Sequence, residues 1–568
     1  MPDRFITFVE TACEMSRRRG CSIVVMVGIM SSYSQPFPAS ISRRNMLAGA
    51  AAVLAAACTN RPARRDDSDT LTFGSPASND DGYDPRVTLS RNEEQVILQI
   101  FDQLVVADCD NSLHSGLAQS WTVADDFRSI MLDLRDDVRF HDGTPFDAEA
   151  VKFTFDTIID PKTGSMGAID VIGPYEGADI LGRHVIRLRF REAFPRVLHA
   201  LADIKASIVS PAAVRRLGNR GFAQAPVGTG PFRFVSWTKG DQVVLARNPD
   251  YRWGPAFLPT GPARIERVVH RFIPNAFTRV AALDAGEIDI CAQTPPLDTR
   301  SLVAGGGYKA MVGVAQGLPF GFSLNSSRGP FADRDVRRAF MMAIDRPWLS
   351  RNLFFGLADP AWGPLASSIP EYWPGVKSYY PYDPACAAAL LDRAGWRMGP
   401  GGIRQRGGVP LALYLPIFIE PELGVAIQAQ ARRAGFDIRI EQVTRQKQDE
   451  LMFGNGYDLL SQRWDHNDAS VLEIPFLSRN IPVPGHYSFN WARIHDPALD
   501  TVLSEAAAAT AQQRRSALYA DAQRRIMEAA VFLPIHEQVQ TIVHSKGVSG
   551  LRYASGNWQL RLAGARIA

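Results

Sequence analysis

The sequence predicts a mixed α/β fold with two or more lobes. About 510 residues follow the first 58 of the 568-residue chain, and one hydrophobic core rarely serves so many. Segments with the period of a strand alternate with segments with the period of a helix along this length. Residues 411–440 have the pattern of strand, helix and strand, and parallel strands need such a crossover. Together these observations indicate an α/β architecture with several sheets.

Strands are predicted from short apolar or alternating stretches. Residues 130–134 and 186–190 alternate apolar and polar side chains, which is the period of a half-buried strand. Residues 70–74 form a short strand after a polar segment. Residues 457–461 follow the strand–helix–strand unit and are predicted to be a further, buried strand.

Helices are predicted from their caps as well as from their apolar stripes. Asp147 and Asp333 each precede apolar residues at helical spacing, and an aspartate there can accept a backbone N–H of the first turn. Asp383 with Pro384 opens another helix, which Gly395 closes.

The first 58 residues have the features of an export signal. Arg43-Arg44 precede a short apolar run, Ala48–Ala57, which is too short to cross a bilayer, and Cys58 follows. We interpret residues 1–58 as a twin-arginine, lipoprotein-type leader, with Cys58 lipidated and translation starting at Met30. Cleavage after Ala57 by an ordinary signal peptidase, with Cys58 incidental, is the alternative. Residues 59–69 are then a polar tether.

The composition is that of an ordinary globular chain. Hydrophobic residues make up 46% and charged residues 21%, and no later run of 18 apolar residues predicts a membrane helix. A net charge of +3 without a stripe of Lys and Arg gives no reason to expect nucleic acid binding. Cys109, Cys291 and Cys386 are too few and too widely spaced for a disulfide framework.

Motifs for catalysis, for cofactors and for metals are missing from the sequence. The patterns GxxxxGK[ST] and GxSxG do not occur. His141-Asp142 is interpreted as part of a tight turn, and His466 and His486 match no metal-ligand spacing. We therefore expect no catalytic residue, no cofactor and no metal site.

Five stretches of the chain carry a family resemblance. They are residues 117–146 with LRDDVRFHDGTPF, 226–251 with PVGTGPF and NPDY, 322–346 with FSLN and ADRDVRRA, 382–396 with YDP and AGW, and 533–536 with LPIH. In this order they resemble the family 5 extracellular solute-binding proteins, the dipeptide-, oligopeptide- and nickel-binding partners of ABC importers. The stretches span almost the whole chain after the leader, and five in order are specific where each alone is weak.

The resemblance implies a two-lobed periplasmic-binding-protein fold of type II, with the ligand enclosed between the lobes. Lobe I would comprise residues 70–312, with an extra subdomain at roughly 90–210, and lobe II residues 313–532. Residues 533–568 would return to lobe I. The implied function is that of an extracytoplasmic substrate-binding component, which captures a peptide or similar small organic solute by hinge closure and delivers it to a permease.

The resemblance also points to residues for the ligand. Open α/β sheets bind ligands beyond the carboxyl ends of their strands, here beyond residues 457–461. Peptide-binding members hold the ligand ammonium with an aspartate at this place, and Asp465 matches it. Asp468 is the competitor in an adjacent register, and it would alternatively cap the segment that begins at Ala469.

Aromatic and polar neighbours complete the expected site. Trp464, Tyr487 and Trp491 flank Asp465 as walls for a ligand, or else as core. From the N-terminal lobe we expect Asn92 and Glu93, with Glu94 beside them, to contribute.

One stretch departs from the family pattern. Dipeptide-specific members hold the ligand carboxylate with an arginine in the strand–helix–strand unit, whereas Glu420 and Glu422 occupy the corresponding loop of this chain. The departure argues against a strict dipeptide ligand and favours a longer peptide, or a cationic or polyol ligand.

The expected partners follow from the implied function. They are a small-molecule or peptide ligand, the permease subunits and, through the lipid on Cys58, the membrane. We expect a monomer on the periplasmic or extracytoplasmic face of the cell membrane. Two alternatives stay open: a secreted peptide or glycan hydrolase that uses Asp465 and Asp468 as an acid pair, and a ligand-sensing lipoprotein without transport.

Overall fold

The computed structural model describes residues 69–76, 82–483 and 488–568. The predicted leader with Cys58, the tether up to residue 68, and Tyr487 lie outside these residues. The described residues combine helices with several sheets, which confirms the predicted α/β class.

The largest sheet has seven strands and joins segments from the start, the middle and the end of the chain. Its first strand, Thr70–Ser75, pairs in parallel with Arg267–Phe272 and with Ile290–Ala292. The strands in spatial order are Tyr308–Val314, Val539–Ser545, Ile290–Ala292, Thr70–Ser75, Arg267–Phe272, Gln242–Arg247 and Phe232–Thr238.

A second sheet of four antiparallel strands has a hydrophobic core of its own. The predicted alternation at 130–134 and 186–190 is confirmed, because Ile130, Leu132, Ile186 and Leu188 are fully buried. In spatial order the strands are Ala118–Val123, Ser129–Leu134, Val185–Phe190 and Tyr175–Gly182.

A third sheet has three antiparallel strands, Leu459–Asp465, Gly317–Leu324 and Phe532–His536 in spatial order. The predicted strand–helix–strand unit is also present. Ala412–Ile417 pairs in parallel with Asp437–Gln442, and helix Pro421–Arg433 makes the crossover.

The remaining strands are short. They are Val105–Ala107 with Leu113–Ser115, Arg397–Met398 with Arg404–Arg406 and Val409–Pro410, Val548–Ser549 with Arg566–Ile567, and Arg552–Tyr553 with Leu560–Arg561.

Helices cover the sheets. The three predicted N-caps are confirmed: the side chains of Asp147, Asp333 and Asp383 accept the backbone N–H groups of Ala150, Asp335 and Cys386. The α-helices are Arg91–Ile100, Ala148–Ile159, Gly167–Ile172, Val197–Leu201, Pro211–Gln224, Ala276–Asp284, Pro296–Ala304, Arg334–Met342, Arg346–Leu353, Pro384–Arg393, Pro421–Arg433, Arg445–Phe453, Glu473–Phe476, Pro497–Ala508 and Gln512–Ala529.

Two glycines allow a close approach between a loop and the end of helix Arg91–Ile100. Gly230 donates its backbone N–H to the carbonyl oxygen of Ile100 at 2.8 Å. A Cβ at Gly228 or at Gly230 would collide with backbone atoms of Ile100. The motif PVGTGPF is therefore structural, because only glycine leaves room for the helix end.

Two short links connect the seven-stranded sheet to the three-stranded sheet. Ala315 and Gln316 follow strand Tyr308–Val314, and Glu537 with Gln538 precede strand Val539–Ser545. The chain thus crosses between the two sheets twice.

The structure corrects the bounds of one strand that matters for the site. The predicted strand 457–461 is found at Leu459–Asp465. Its pairing with Gly317–Leu324 continues to Trp464 and Asp465, which lie opposite Leu318 and Gly317. Asp465 is therefore the last residue of the strand and not part of the loop beyond it.

Candidate functional site

A cavity of about 290 Å³ lies where the seven-stranded and three-stranded sheets meet. Segments 89–94, 202–205 and 554–561 form one side of it. Segment 464–467 and Gln316 form the other side. The volume is at the lower end of the range of roughly 300–1,000 Å³ that is typical of small-molecule sites.

An ion pair crosses this cavity. Arg91, the first residue of helix Arg91–Ile100, contacts the carboxylate of Asp465 at the end of strand Leu459–Asp465. The guanidinium of Arg91 also lies 4.0 Å from the ring centre of Trp558, in a cation–π contact. Burial lowers the pKa of Arg91 to about 9, which is still above neutral pH, so the arginine keeps its charge.

A second ion pair lies on the N-terminal side of the cavity. The ammonium of Lys205 is 2.5 Å from the carboxylate of Glu94, which also accepts a hydrogen bond from Gln559 at 2.7 Å. Burial acts to lower the pKa of Lys205, but the negative charges of Glu94 and Asp203 outweigh it and raise that pKa. Lys205 is therefore fully protonated at neutral pH.

Arg561 is the third cation that lines the cavity, and it has no such partner. Its side chain makes no hydrogen bond or ion pair with any residue that the structure describes, and its Nε atom is buried. The ring centre of Phe257 lies 5.8 Å from its guanidinium carbon, near the limit of a cation–π contact. Burial lowers the pKa of Arg561, although nearby acidic groups oppose this effect.

Gln316 brings the first link between the sheets into the cavity wall. It is 3% exposed, and its Oε1 atom has no hydrogen-bond partner within the described part of the chain. A buried acceptor without a partner costs about 1–3 kcal/mol. A ligand donor or a bound water would remove that cost.

Of the two predicted aromatic residues that the structure describes, one lines the cavity. Trp464 does so, and its ring packs edge-on against Phe489 with centres 4.4 Å apart. Trp491 is 7% exposed and packs with Tyr457 in a separate cluster, away from the cavity wall. Tyr487 lies outside the described residues.

The polar residues predicted from the N-terminal lobe lie beside the cavity. Asn92 accepts a hydrogen bond from Gln293 at 3.2 Å, and the buried Glu93 accepts one from Thr88 at 2.7 Å. Neither lines the cavity, whereas Glu94, the next residue, does.

Asp468 has a structural role. Its carboxylate accepts the backbone N–H of Ser470 at 2.8 Å and pairs with the buried guanidinium of Arg515 at 2.6 Å. The alternative interpretation as a cap is thus confirmed. Asp465 and Asp468 pair with different arginines, Arg91 and Arg515.

Glu420, one of the two glutamates that depart from the family pattern, lies at the end of the three-stranded sheet. Its Oε2 atom is 3.2 Å from Nε2 of His536. His536 stacks in turn on Phe320, with ring centres 5.1 Å apart. Glu420 does not line the cavity.

The sequence does not single out several residues of the cavity, among them Arg91, Lys205, Trp558 and Arg561. None of these residues belongs to a sequence motif that marks a ligand residue. The only available signal was the expectation that the last segment returns to lobe I, which brings residues 554–561 to the cleft.

The described residues contain no group of three or more His, Cys, Asp and Glu side chains that could hold a metal ion. None of the helices in the described ranges is both long and apolar enough to span a membrane.

Comparisons with known proteins agree on one family. The family model "Bacterial extracellular solute-binding proteins, family 5 Middle" matches residues 112–476. The nickel-binding periplasmic protein of Escherichia coli K12 is 27% identical over 471 residues, which cover 80% of this chain and 87% of that protein. The glutathione-binding protein GsiB of Pectobacterium atrosepticum is 29% identical over 491 residues, which cover 84% and 90%.

A solved structure confirms the architecture. NikA from Brucella suis in complex with Fe(III)-EDTA superposes with a TM-score of 0.78 at 25% identity, covering 88% of this chain and 100% of that one. The predicted two-lobed fold of type II is therefore confirmed.

Proposed function

Because the chain belongs to the family 5 bacterial extracellular solute-binding proteins, and is thus a substrate-binding component of an ABC importer, we propose that the cavity between its two sheets is the ligand site. The family consists of binding proteins and not of enzymes. The ligand would be captured by closure of the two lobes about the paired links and then handed to permease subunits.

This proposal rests on the observation that the two sides of the cavity come from different sheets. Segments packed on the seven-stranded sheet supply Arg91, Lys205 and Arg561, and the third sheet supplies Trp464 and Asp465. A ligand in the cavity contacts both sides only in the closed form, in which the two lobes are together. That difference in affinity is what shifts a two-state equilibrium towards the closed form.

The ligand class we propose is a peptide or a similar small organic solute. The relatives are named for nickel and for glutathione, which is a tripeptide. The cavity volume of about 290 Å³ favours a solute about the size of glutathione over a longer peptide. The loop with Glu420 and Glu422 instead suggests longer peptides.

Among the residues predicted from the sequence, we propose Asp465 and Trp464 as ligand contacts. Asn92 and Glu93 would position helix Arg91–Ile100, and Trp491 would support the segment beneath Trp464. A ligand ammonium would reach Asp465 only by displacing the guanidinium of Arg91.

The finer parts of the proposal concern the ends of the chain and its organisation. We propose export by the leader 1–58 with translation from Met30, a lipid on Cys58, and a monomer held at the extracytoplasmic face of the membrane. The lobes would comprise residues 70–312 with 533–568, and residues 313–532. The intact mass of the protein from the membrane fraction tests the lipid, since an unmodified mass starting at Met1 or Met30 would contradict it.

Small-angle scattering tests the closure. The purified chain is stripped of bound solute by unfolding and refolding, and the radius of gyration is measured before and after a bacterial small-molecule extract is added. We expect a contraction. Retention of a solute by the protein without any contraction would refute the clamp mechanism.

A further inference from the structure

We propose that Arg561 binds an oxyanion of the ligand, a carboxylate or a phosphate group. The inference rests on the proposed ligand cavity and narrows the class of solute that the cavity takes. Nothing in the sequence motifs marks this arginine, which lies in a two-residue strand, Leu560–Arg561, in the last segment of the chain.

The first argument is the balance of charge around the cavity. Every acidic side chain that lines it has a donor within the described residues. Asp465 contacts Arg91, Glu94 contacts Lys205, and Asp203 accepts the backbone N–H of Lys205. Arg91 and Lys205 are neutralised by these pairs. Arg561 is the cation left over on the cavity wall.

The second argument is that the acids behind Arg561 are already engaged. Asp102 and Asp108 lie near enough to influence its pKa. The carboxylate of Asp108 pairs with Arg552. That of Asp102 accepts hydrogen bonds from three neutral donors, Thr229, Tyr251 and Trp253. Neither acid hydrogen-bonds to Arg561, so neither engages its donors.

The third argument is the chemistry of the guanidinium group. Arginine presents a planar fork of N–H donors that matches the two oxygens of a carboxylate or a phosphate. A cation in a closed cleft without a hydrogen-bond partner is unfavourable, and a ligand oxyanion satisfies it. A ligand ammonium meets the opposite situation, because each acid on the wall already holds a cation or a donor.

Equilibrium dialysis against a chemically modified extract tests the inference. The natively purified chain, stripped of solute, is dialysed against a bacterial small-molecule extract, and retained species are identified by mass. Parallel samples of the extract are first amidated at their carboxylates or treated with phosphatase. We expect retention that is abolished by one of these treatments, and the treatment identifies the carboxylate or the phosphate.

Variants connect the retention to this residue. Arg561→Gln should weaken binding of the retained solute by about 30-fold or more, as expected when one member of a desolvated charge pair is removed. Arg561→Lys keeps the charge and should retain the same solute less tightly. Arg566→Gln is the matched control, because Arg566 is exposed, lies five residues away and does not line the cavity. Circular dichroism melting of all three variants verifies that they fold.

The outcomes separate this inference from the proposed function. Retention that survives both treatments, or that Arg561→Gln and Arg561→Lys leave unchanged, overturns the oxyanion site while the binding function stands. Retention of nothing from the untreated extract would overturn both.

Discussion

Ala315 donates its backbone N–H to the carbonyl oxygen of Gln538 at 2.8 Å. The two residues belong to the two links between the sheets, so the links run side by side as a bonded pair. Gln538 reaches further, since its side-chain amide donates to the carbonyl oxygen of Leu318 at 2.7 Å. The proposed closure of the lobes would occur about this pair of links, and Gln316 of the first link lines the cavity.

Gly317→Ala should destabilise the protein at one end of the link. Gly317 has φ +121, and a Cβ there would collide with the carbonyl oxygen of Trp464. We expect a loss of about 1–3 kcal/mol in the free energy of unfolding, measured by urea denaturation. Gly307→Ala is the control, because a Cβ at Gly307 meets open space. Equal stability of the two variants would contradict the strained backbone.

Asp465→Asn should shift the solute-free chain towards the open form. Arg91 and Asp465 are 21% and 36% exposed, and ion pairs so exposed contribute about 0.2–1 kcal/mol. The ratio of open to closed forms should rise by a factor of about 1.4 to 5. Fluorescence energy transfer between dyes on the two lobes measures it. Asp437→Asn removes a more exposed pair with Arg432 within one strand–helix–strand unit, and it should leave the signal unchanged.

Asp468→Asn should cost stability rather than change lobe closure. The substitution leaves the buried guanidinium of Arg515 with only Glu371 as an acidic partner, at 3.1 Å, so we expect a loss of about 3 kcal/mol at pH 7. Urea denaturation checks this. Asp137→Asn, which breaks an exposed pair with Arg135, is the control and should cost less than about 1 kcal/mol.

The lowered pKa of Asp468 predicts that the protein loses stability in acid. Burial opposes ionisation of Asp468, but the charge of Arg515 and other favourable contacts prevail and lower its pKa from 3.8 to about 2. Because its pKa is lower in the folded state, the ionised carboxylate of Asp468 stabilises the folded protein above pH 4. This contribution to stability disappears between pH 4 and pH 2. Roughly 2 kcal/mol should be lost over this interval. If Asp468→Asn loses the same amount of stability between pH 4 and pH 2, the loss belongs to other groups.

Glu537→Gln should stabilise the protein at alkaline pH. Burial raises the pKa of Glu537 from 4.5 to about 7, and its Oε2 atom has no partner among the described residues. A raised pKa gives stability that is complete below pH 4.5 and is lost as the pH rises through 7, by roughly 3 kcal/mol. The variant should match the wild type near pH 4.5 and exceed it at pH 8 in urea denaturation. Glu192→Gln, at an exposed site, should show no such difference.

Local elements of this protein follow from the sequence because their causes are local. The caps at Asp147, Asp333 and Asp383 need only the next few residues. The strand ending at Asp465 was placed too early for a physical reason. Gln462 is buried, but its side chain hydrogen-bonds with Ser323 and Phe489, and Arg463 is exposed at the edge of the sheet. The strand thus continues through polar residues, and the apolar signal stops before the pairing does.

The sequence singles out two residues that line the cavity, but it does not show which charged residues around the cavity pair with one another. Asp465 and Trp464, which the sequence singles out as ligand residues, line the cavity. Arg91 lies far from Asp465 along the chain, and neither residue's pattern marks the other. The proposed role of Arg561 is still less predictable, because it depends on the lack of an acidic partner among the described residues.

Strand Val539–Ser545 lies inside the seven-stranded sheet, between Tyr308–Val314 and Ile290–Ala292. Ribosomes make this strand almost last, so the sheet that begins with Thr70–Ser75 has a gap until synthesis is nearly complete. Residues 317–536, in contrast, are contiguous and can assemble earlier. Closing a loop of more than two hundred residues is slow, and the unfilled sheet would remain exposed while it waits. A stop codon shortly before residue 539 would therefore damage the beginning of the protein more than its end.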